Sequence, residues 1–186
     1  MKISKPYFNC SINHISQPFG NPQSFGGTHT GVDLAPFGAY GTFLVAPEKV
    51  RIKQVITQET FAIKYLENLS KGFGVLMTSL ADPNVDYLYW HCLSVIPVRV
   101  GDIVEQGEEV AQMGNTGFVL VGGKVVPIEL RNSPPYPGTH LHFEVRVNNQ
   151  YVNPVPLIDW DIPVKRTTLQ WIAKVLTQIT NFIKLR

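Results

Sequence analysis

Short apolar runs closed by glycine or proline dominate most of the chain. Thr42 to Ala46, Val50 to Ile56, Gly74 to Thr78 and Tyr87 to Trp90 are rich in β-branched or aromatic residues, and Val98 to Val100, Glu109 to Met113 and Leu141 to Val147 continue the pattern. Runs of this kind predict short strands. Breaks fall at Pro47, Gly72, Pro83, Pro97, Gly101, Gly107 and Gly114, where turn chemistry is expected. Pro18 to Pro22 and Phe25-Gly26-Gly27 read as loop, and residues 57–71 are the one stretch of the body that reads as a short helix or an excursion. After Thr167 the period changes to 3.6. Leu169, Ile172, Leu176, Ile179 and Ile183 form one apolar stripe with Val175 and Phe182 beside it, and Thr167 or Thr168 is placed to cap the helix. The pattern therefore predicts a mainly β, compact antiparallel domain over residues 1–164, followed by an amphipathic C-terminal helix over 165–186.

Composition sharpens this picture. The chain has 186 residues, 44% hydrophobic and 16% charged, which is enough apolar material for a real core. No apolar run reaches the roughly 18–20 residues that cross a bilayer as a helix. The N-terminal segment MKISKPYFNCSINH has no apolar stretch of signal-peptide length, so no ordinary secretion signal is expected. Five basic residues and no acidic one lie from Lys165 onward, so residues 1–164 carry a net charge of −3 within a total of +2. A near-neutral charge argues against a nucleic-acid partner, because phosphate binding needs a basic face. The basic helix is read in two ways: as a structural close, or as a contact with an anionic membrane surface or an acidic cell wall. Cys10 and Cys92 are too few for a disulfide framework or a cysteine zinc knuckle.

The histidines carry the chemistry. His29 and Asp33 lie four apart across Gly31, and His140 and His142 lie two apart in a predicted strand, which turns both to one face. His91 ends the strand Tyr87 to Trp90. Two imidazoles and a carboxylate suit zinc and leave a fourth position for water, whose pKa then falls to about 7. Two further imidazoles nearby can orient that water, move protons and stabilise an oxyanion. His14 has no motif around it and reads as a surface residue. Each pairing alone arises easily by chance. Their joint occurrence does not.

The chain resembles the lysostaphin/LytM-type zinc endopeptidases, which cut peptide bonds in bacterial peptidoglycan. The resemblance rests on His29-Thr30-Gly31-Val32-Asp33 for H-x-G-x-D, on Tyr89 to Ser94 for Y-x-H-L-S, and on Val100 to Gly107 followed by Met113-Gly114-Asn115-Thr116-Gly117. It ends with His140-Leu141-His142-Phe143-Glu144 for H-L-H-F-E, and Asn153-Pro154 resembles the closing N-P. These motifs cover residues from about 17 to 160 in the family's order. The resemblance implies a LytM-like peptidase fold with a cleft and one zinc ion per chain. It implies His29, Asp33 and His142 as the metal ligands and His91 and His140 as the catalytic pair, acting on a peptidoglycan peptide. Glu144 reads either as an orienter of His142 or as a solvated strand carboxylate.

The chain also departs from the family pattern. Residues 118–139 intervene where the family usually needs only a handful, with Gly122-Gly123 between apolar runs predicting an inserted hairpin and Pro134 to Gly138 a rigid loop. The insertion borders the family's cleft and is expected to reshape substrate access. Some members present a tyrosine hydroxyl from the loop before the first histidine; here Gln23 and Phe25 stand there, with Tyr136 as a candidate substitute. Cys92 reads as a buried structural thiol. The family also contains catalytically silent relatives that bind the wall or activate amidases, and that is the alternative reading of this chain. A substrate in the cell wall implies an extracellular, periplasmic or phage-delivered protein.

Overall fold

The computed structural model describes residues 2–24, 26–56, 71–162 and 164. Its strands are β1 (Ile15–Gln17), β2 (Val32–Leu34), β3 (Phe43–Val45), β4 (Val50–Ile56), β5 (Phe73–Ser79), β6 (Val85–Cys92) and β7 (Ile103–Val104), then β8 (Glu109–Gln112), β9 (Leu120–Val121), β10 (Lys124–Val125), β11 (Leu141–Val147) and β12 (Gln150–Val152). Among the described residues one short α-helix, α1 (Ile128–Arg131), and two 3-10 turns, Ile12–His14 and Val155–Leu157, accompany them. The order in the main sheet is β1-β2-β11-β6-β5-β4-β7, with β12 also on β11, and every pairing is antiparallel. β2 and β12 share one edge of β11: Leu141 to Phe143 pair with β2, and Val145 to Val147 pair with β12.

Alternation divides each central strand between two environments. Val32, Leu34, Val75, Met77, Tyr87, Tyr89, Leu141, Phe143 and Val145 face the main core, which is completed by Leu44, Val110, Ala111 and Met113 of the β3–β8 ribbon and its end. On the opposite face Leu88 and Trp90 form a smaller cluster with Ile56 and Leu76. Asp33, His142 and Glu144 occupy alternate positions to the core residues and are buried polar groups.

Most expected strands form, within a residue or two at their ends. Val98 to Val100 do not. Arg99 instead makes a turn, its N–H bonded to Asp102 Oδ2 at 2.8 Å and its carbonyl accepting from Asp102 N–H at 3.1 Å, so the strand begins only at Ile103. β1, β2 and β12 are too short for a sequence pattern to reveal. The helices expected over 57–71 and 165–186 lie, apart from Lys71, outside the described residues. Cys10 and Cys92 are free, buried thiols, as expected of Cys92. His14 is not a plain surface residue: it is half-buried, stacks on Tyr7, and accepts the Tyr7 hydroxyl at Nδ1 over 2.9 Å.

Candidate metal centre

The β2–β11 register creates the centre. Asp33 lies directly opposite His142, so the carboxylate and the imidazole meet across the two strands, with Asp33 Oδ1 2.8 Å from His142 Nδ1. The close approach depends on Gly31. A Cβ there would sit 2.4 Å from the Phe143 carbonyl oxygen and 2.9 Å from its carbon, both parts of a fixed backbone. The glycine in the first motif is thus needed for close approach of the two chains rather than for an unusual dihedral. Gly31→Ala is expected to push β2 off β11, to destabilise the fold by about 1–3 kcal/mol in urea titration and to weaken metal binding with it.

His29 enters from the loop before β2. Its Nε2 is 3.1 Å from Asp33 Oδ1 and 2.9 Å from His142 Nδ1, and one ligand atom from each of the three residues lies within 4.8 Å of the others. The outer nitrogens locate the protons. His29 Nδ1 donates to the Pro18 carbonyl at 3.0 Å, and His142 Nε2 donates to Glu144 Oε1 at 3.1 Å. The inner His29 Nε2 and His142 Nδ1 are therefore lone-pair nitrogens facing each other and a carboxylate oxygen. Three electron-pair donors at such separations call for a cation between them, and two imidazoles with one carboxylate are a zinc donor set. The donor chemistry fits zinc.

Electrostatics agree with this. Burial alone would raise the Asp33 carboxyl, but protons on the facing His142 and His29 nitrogens, standing where a cation would, outweigh it and hold the group well below the usual carboxylate range. Burial would lower His142, and its bonds to Asp33 and Glu144 outweigh that and raise it, so the two carboxylates favour a positive charge, proton or metal ion, at the Nδ1 position. Glu144 is fully buried rather than solvated, which resolves the alternative left open by the sequence. Its Oε2 accepts the Trp90 indole N–H at 2.8 Å, while His142, Lys71 and Thr30 all bond to Oε1.

His91 reaches the site through a break in alternation. Tyr89 faces the core and Trp90 the site face, so strict alternation would send His91 into the core and Cys92 toward the cleft. The backbone of His91 is left-handed, with φ 59°, and β6 carries an extra residue against β5 between the Phe73–Cys92 and Val75–Tyr89 pairs. This bulge re-aims His91 and returns Cys92 to the core. Gly74 makes room opposite it: a Cβ there would lie 2.5 Å from the Tyr89 carbonyl oxygen.

His91 Nδ1 donates to the Thr116 carbonyl at 2.7 Å and His140 Nδ1 to the Gly138 carbonyl at 2.8 Å. Each ring thus keeps a lone pair on Nε2, and His140 Nε2 stands 3.8 Å from Asp33 Oδ1. The two ring centroids are 4.4 Å apart. Burial lowers both pKa values, with neighbouring imidazoles adding to it at His91 and with Asp33 and the Gly138 carbonyl partly opposing it at His140, so the neutral rings are favoured.

These residues floor a cleft of about 800 Å³. Gln17, Gln23, Thr28 and Phe118 to Gly123 line it as well. The inserted hairpin forms as expected, with β9 and β10 joined through Gly122-Gly123. It is tied down by Arg131 of α1, whose Nε donates to the Val126 carbonyl at 2.9 Å and whose Nη1 bonds to the Gly117 carbonyl. Asn115 in turn bonds the Arg131 and Pro137 carbonyls, at 3.1 and 2.9 Å. Tyr136 does not substitute for a cleft tyrosine: it stacks on Tyr40 with ring centroids 3.9 Å apart and is not among the lining residues. Lys71 and Thr30, which the sequence did not single out, line the cleft and bond to Glu144.

Comparison with known proteins follows the same lines. The fold is similar to that of LytU, at 24% identity and TM-score 0.56 over 82% of this chain and 87% of that one. It is similar to a variant of the catalytic domain of the prophage-encoded M23 protein EnpA from Enterococcus faecalis, at 24% identity and TM-score 0.52 over 76% and 88%. A zinc-containing peptidase from Vibrio cholerae matches at 20% identity and TM-score 0.55 over 82% of this chain but 39% of that one. No curated protein matches the sequence significantly. The model of peptidase family M23 matches residues 27–154, a span that holds all the motif residues from His29 to His142. By that match, which extends over more than half its length, the chain belongs to peptidase family M23.

Proposed function

We propose that this protein is a zinc-dependent endopeptidase that hydrolyses peptide bonds in bacterial peptidoglycan. The observation that carries the proposal is the convergence of His29 Nε2, Asp33 Oδ1 and His142 Nδ1 with both histidine protons committed elsewhere. These three atoms would hold the ion. Bound zinc supplies a Lewis acid and lowers the pKa of a water to about 7.

The chain's own groups do the rest. His91 and His140 are neutral, held at Nδ1 by backbone carbonyls, and directed by those bonds into the cleft. A neutral imidazole with a free Nε2 accepts the proton of the attacking water as the carbonyl carbon is attacked. Once protonated, it donates a hydrogen bond to the developing oxyanion or passes the proton to the leaving amine. Glu144 fixes the His142 ring from outside, which sets its tautomer and strengthens it as a donor. The cleft's open walls accept an extended peptide, and the anchored hairpin limits which side chains fit beside Phe118 and Leu120. Action on the cell wall would be extracellular, periplasmic or phage-delivered.

The test is metal content by mass spectrometry on protein purified without a histidine tag. About one zinc per chain is expected, and its removal by chelator should abolish hydrolysis until zinc is restored. Protein that takes up no zinc when supplied with it would contradict the reading and favour a silent wall-binding module.

A further inference from the structure

Lys71 has no place in the motifs, yet it touches both halves of the site. Its carbonyl accepts the His91 backbone N–H at 3.0 Å. Its ammonium bonds to Glu144 Oε1 and to Thr30 Oγ1, the latter at 3.0 Å. The next two residues continue the link: Phe73 N–H donates at 3.0 Å to Thr116 Oγ1, and Thr116 carries the carbonyl that holds the His91 ring. A Cβ on the intervening Gly72 would lie 2.5 Å from the Thr116 backbone, so this segment lies close against the His91 support.

We infer that Lys71 is a positioning residue for the metal centre, holding the Glu144 carboxylate in place as the acceptor for the His142 Nε2 proton. The inference rests on the zinc reading above. Glu144 is completely buried, and a buried carboxylate persists as an anion only with a cation and a full set of donors. Arg146 is the other cation near it, but its Nη2 stands 4.0 Å from Oε2 and bonds to the Tyr151 hydroxyl at 2.5 Å. Lys71 is thus the cation in direct contact among the described residues. Two effects of the ammonium oppose each other. It draws electron density from Glu144, which weakens the acceptor for His142; it also keeps the carboxylate charged and in place. The second effect is larger, because polarisation changes a hydrogen bond by a fraction of its strength, whereas a buried carboxylate without its counter-ion is displaced from its place. Without Lys71, Oε1 would be held toward His142 by Thr30 alone, and the Nδ1 lone pair would be less firmly fixed on the metal position.

The experiment compares zinc affinity, by competition with a chromophoric chelator, in the full-length parent and in Lys71→Met, Lys71→Gln and Lys71→Arg. Lys71→Met is expected to bind zinc about 10–100-fold more weakly. Lys71→Arg should recover most of the loss, because it restores the cation, and a merely space-filling role would not show that rescue. Lys71→Gln keeps a donor without the charge, should fall between the two, and carries the comparison if the methionine variant does not fold. Hydrolysis at saturating zinc should show a lower kcat with little change in KM. Parental zinc affinity in both neutral variants overturns the inference, as does a raised KM with unchanged zinc affinity, which would mark Lys71 as a substrate contact. A parent that takes up no zinc overturns the metal reading itself, so the two failures are distinct.

Discussion

His91→Ala is expected to retain its zinc and lose hydrolysis, with kcat falling by about 10²–10⁴ at little cost in metal affinity. The imidazole is not one of the three converging donors, and its ring centroid lies 6.1 Å from that of His142. Its Nδ1 proton is spent on Thr116, so the free Nε2 is its only means of moving a proton. Alanine also sits poorly in the left-handed backbone that His91 adopts. His91→Asn is therefore the companion variant: asparagine tolerates that region but has no basic nitrogen. Both variants should be inactive and zinc-loaded. Inactivity in alanine alone would point to backbone collapse rather than lost proton transfer.

The second large effect is on the metal itself. His142→Ala removes one of the three converging donors and the link to Glu144. Zinc sites of four ligands contribute roughly 10–16 kcal/mol, so one ligand corresponds to about 2.5–4 kcal/mol, or on the order of 10²–10³ in affinity. The variant should emerge from purification without zinc and without activity. It should still fold, because the core side of β11 is formed by Leu141, Phe143 and Val145 on the opposite face. Zinc retained at parental affinity would mean that the metal is held elsewhere.

How much of this was legible in the sequence depends on how local each signal was. The central strands announce themselves through apolar alternation, and the pairing of His140 with His142 on one face follows from strand geometry alone. The hairpin at Gly122-Gly123 was equally readable, because two glycines between apolar runs have one cheap conformation. The direction of His91 does not follow from alternation: the bulge that turns it is a property of β6 paired against β5, visible only once Phe73 and Cys92 are known to face each other. The burial of Glu144 depends on Trp90, Lys71 and Thr30 arriving from three other segments, and no spacing within one segment encodes that. Tyr136 misled for the opposite reason: closeness to His140 in sequence suggested the cleft, whereas stacking on Tyr40 carries it elsewhere.

The most direct test of the central claim is digestion of purified peptidoglycan with the zinc-loaded protein, followed by mass spectrometry of the released fragments. The account predicts new amino termini within the peptide portion, lost on chelation and restored when zinc is returned. Intact peptide bonds after exposure to a zinc-loaded, folded protein would contradict it.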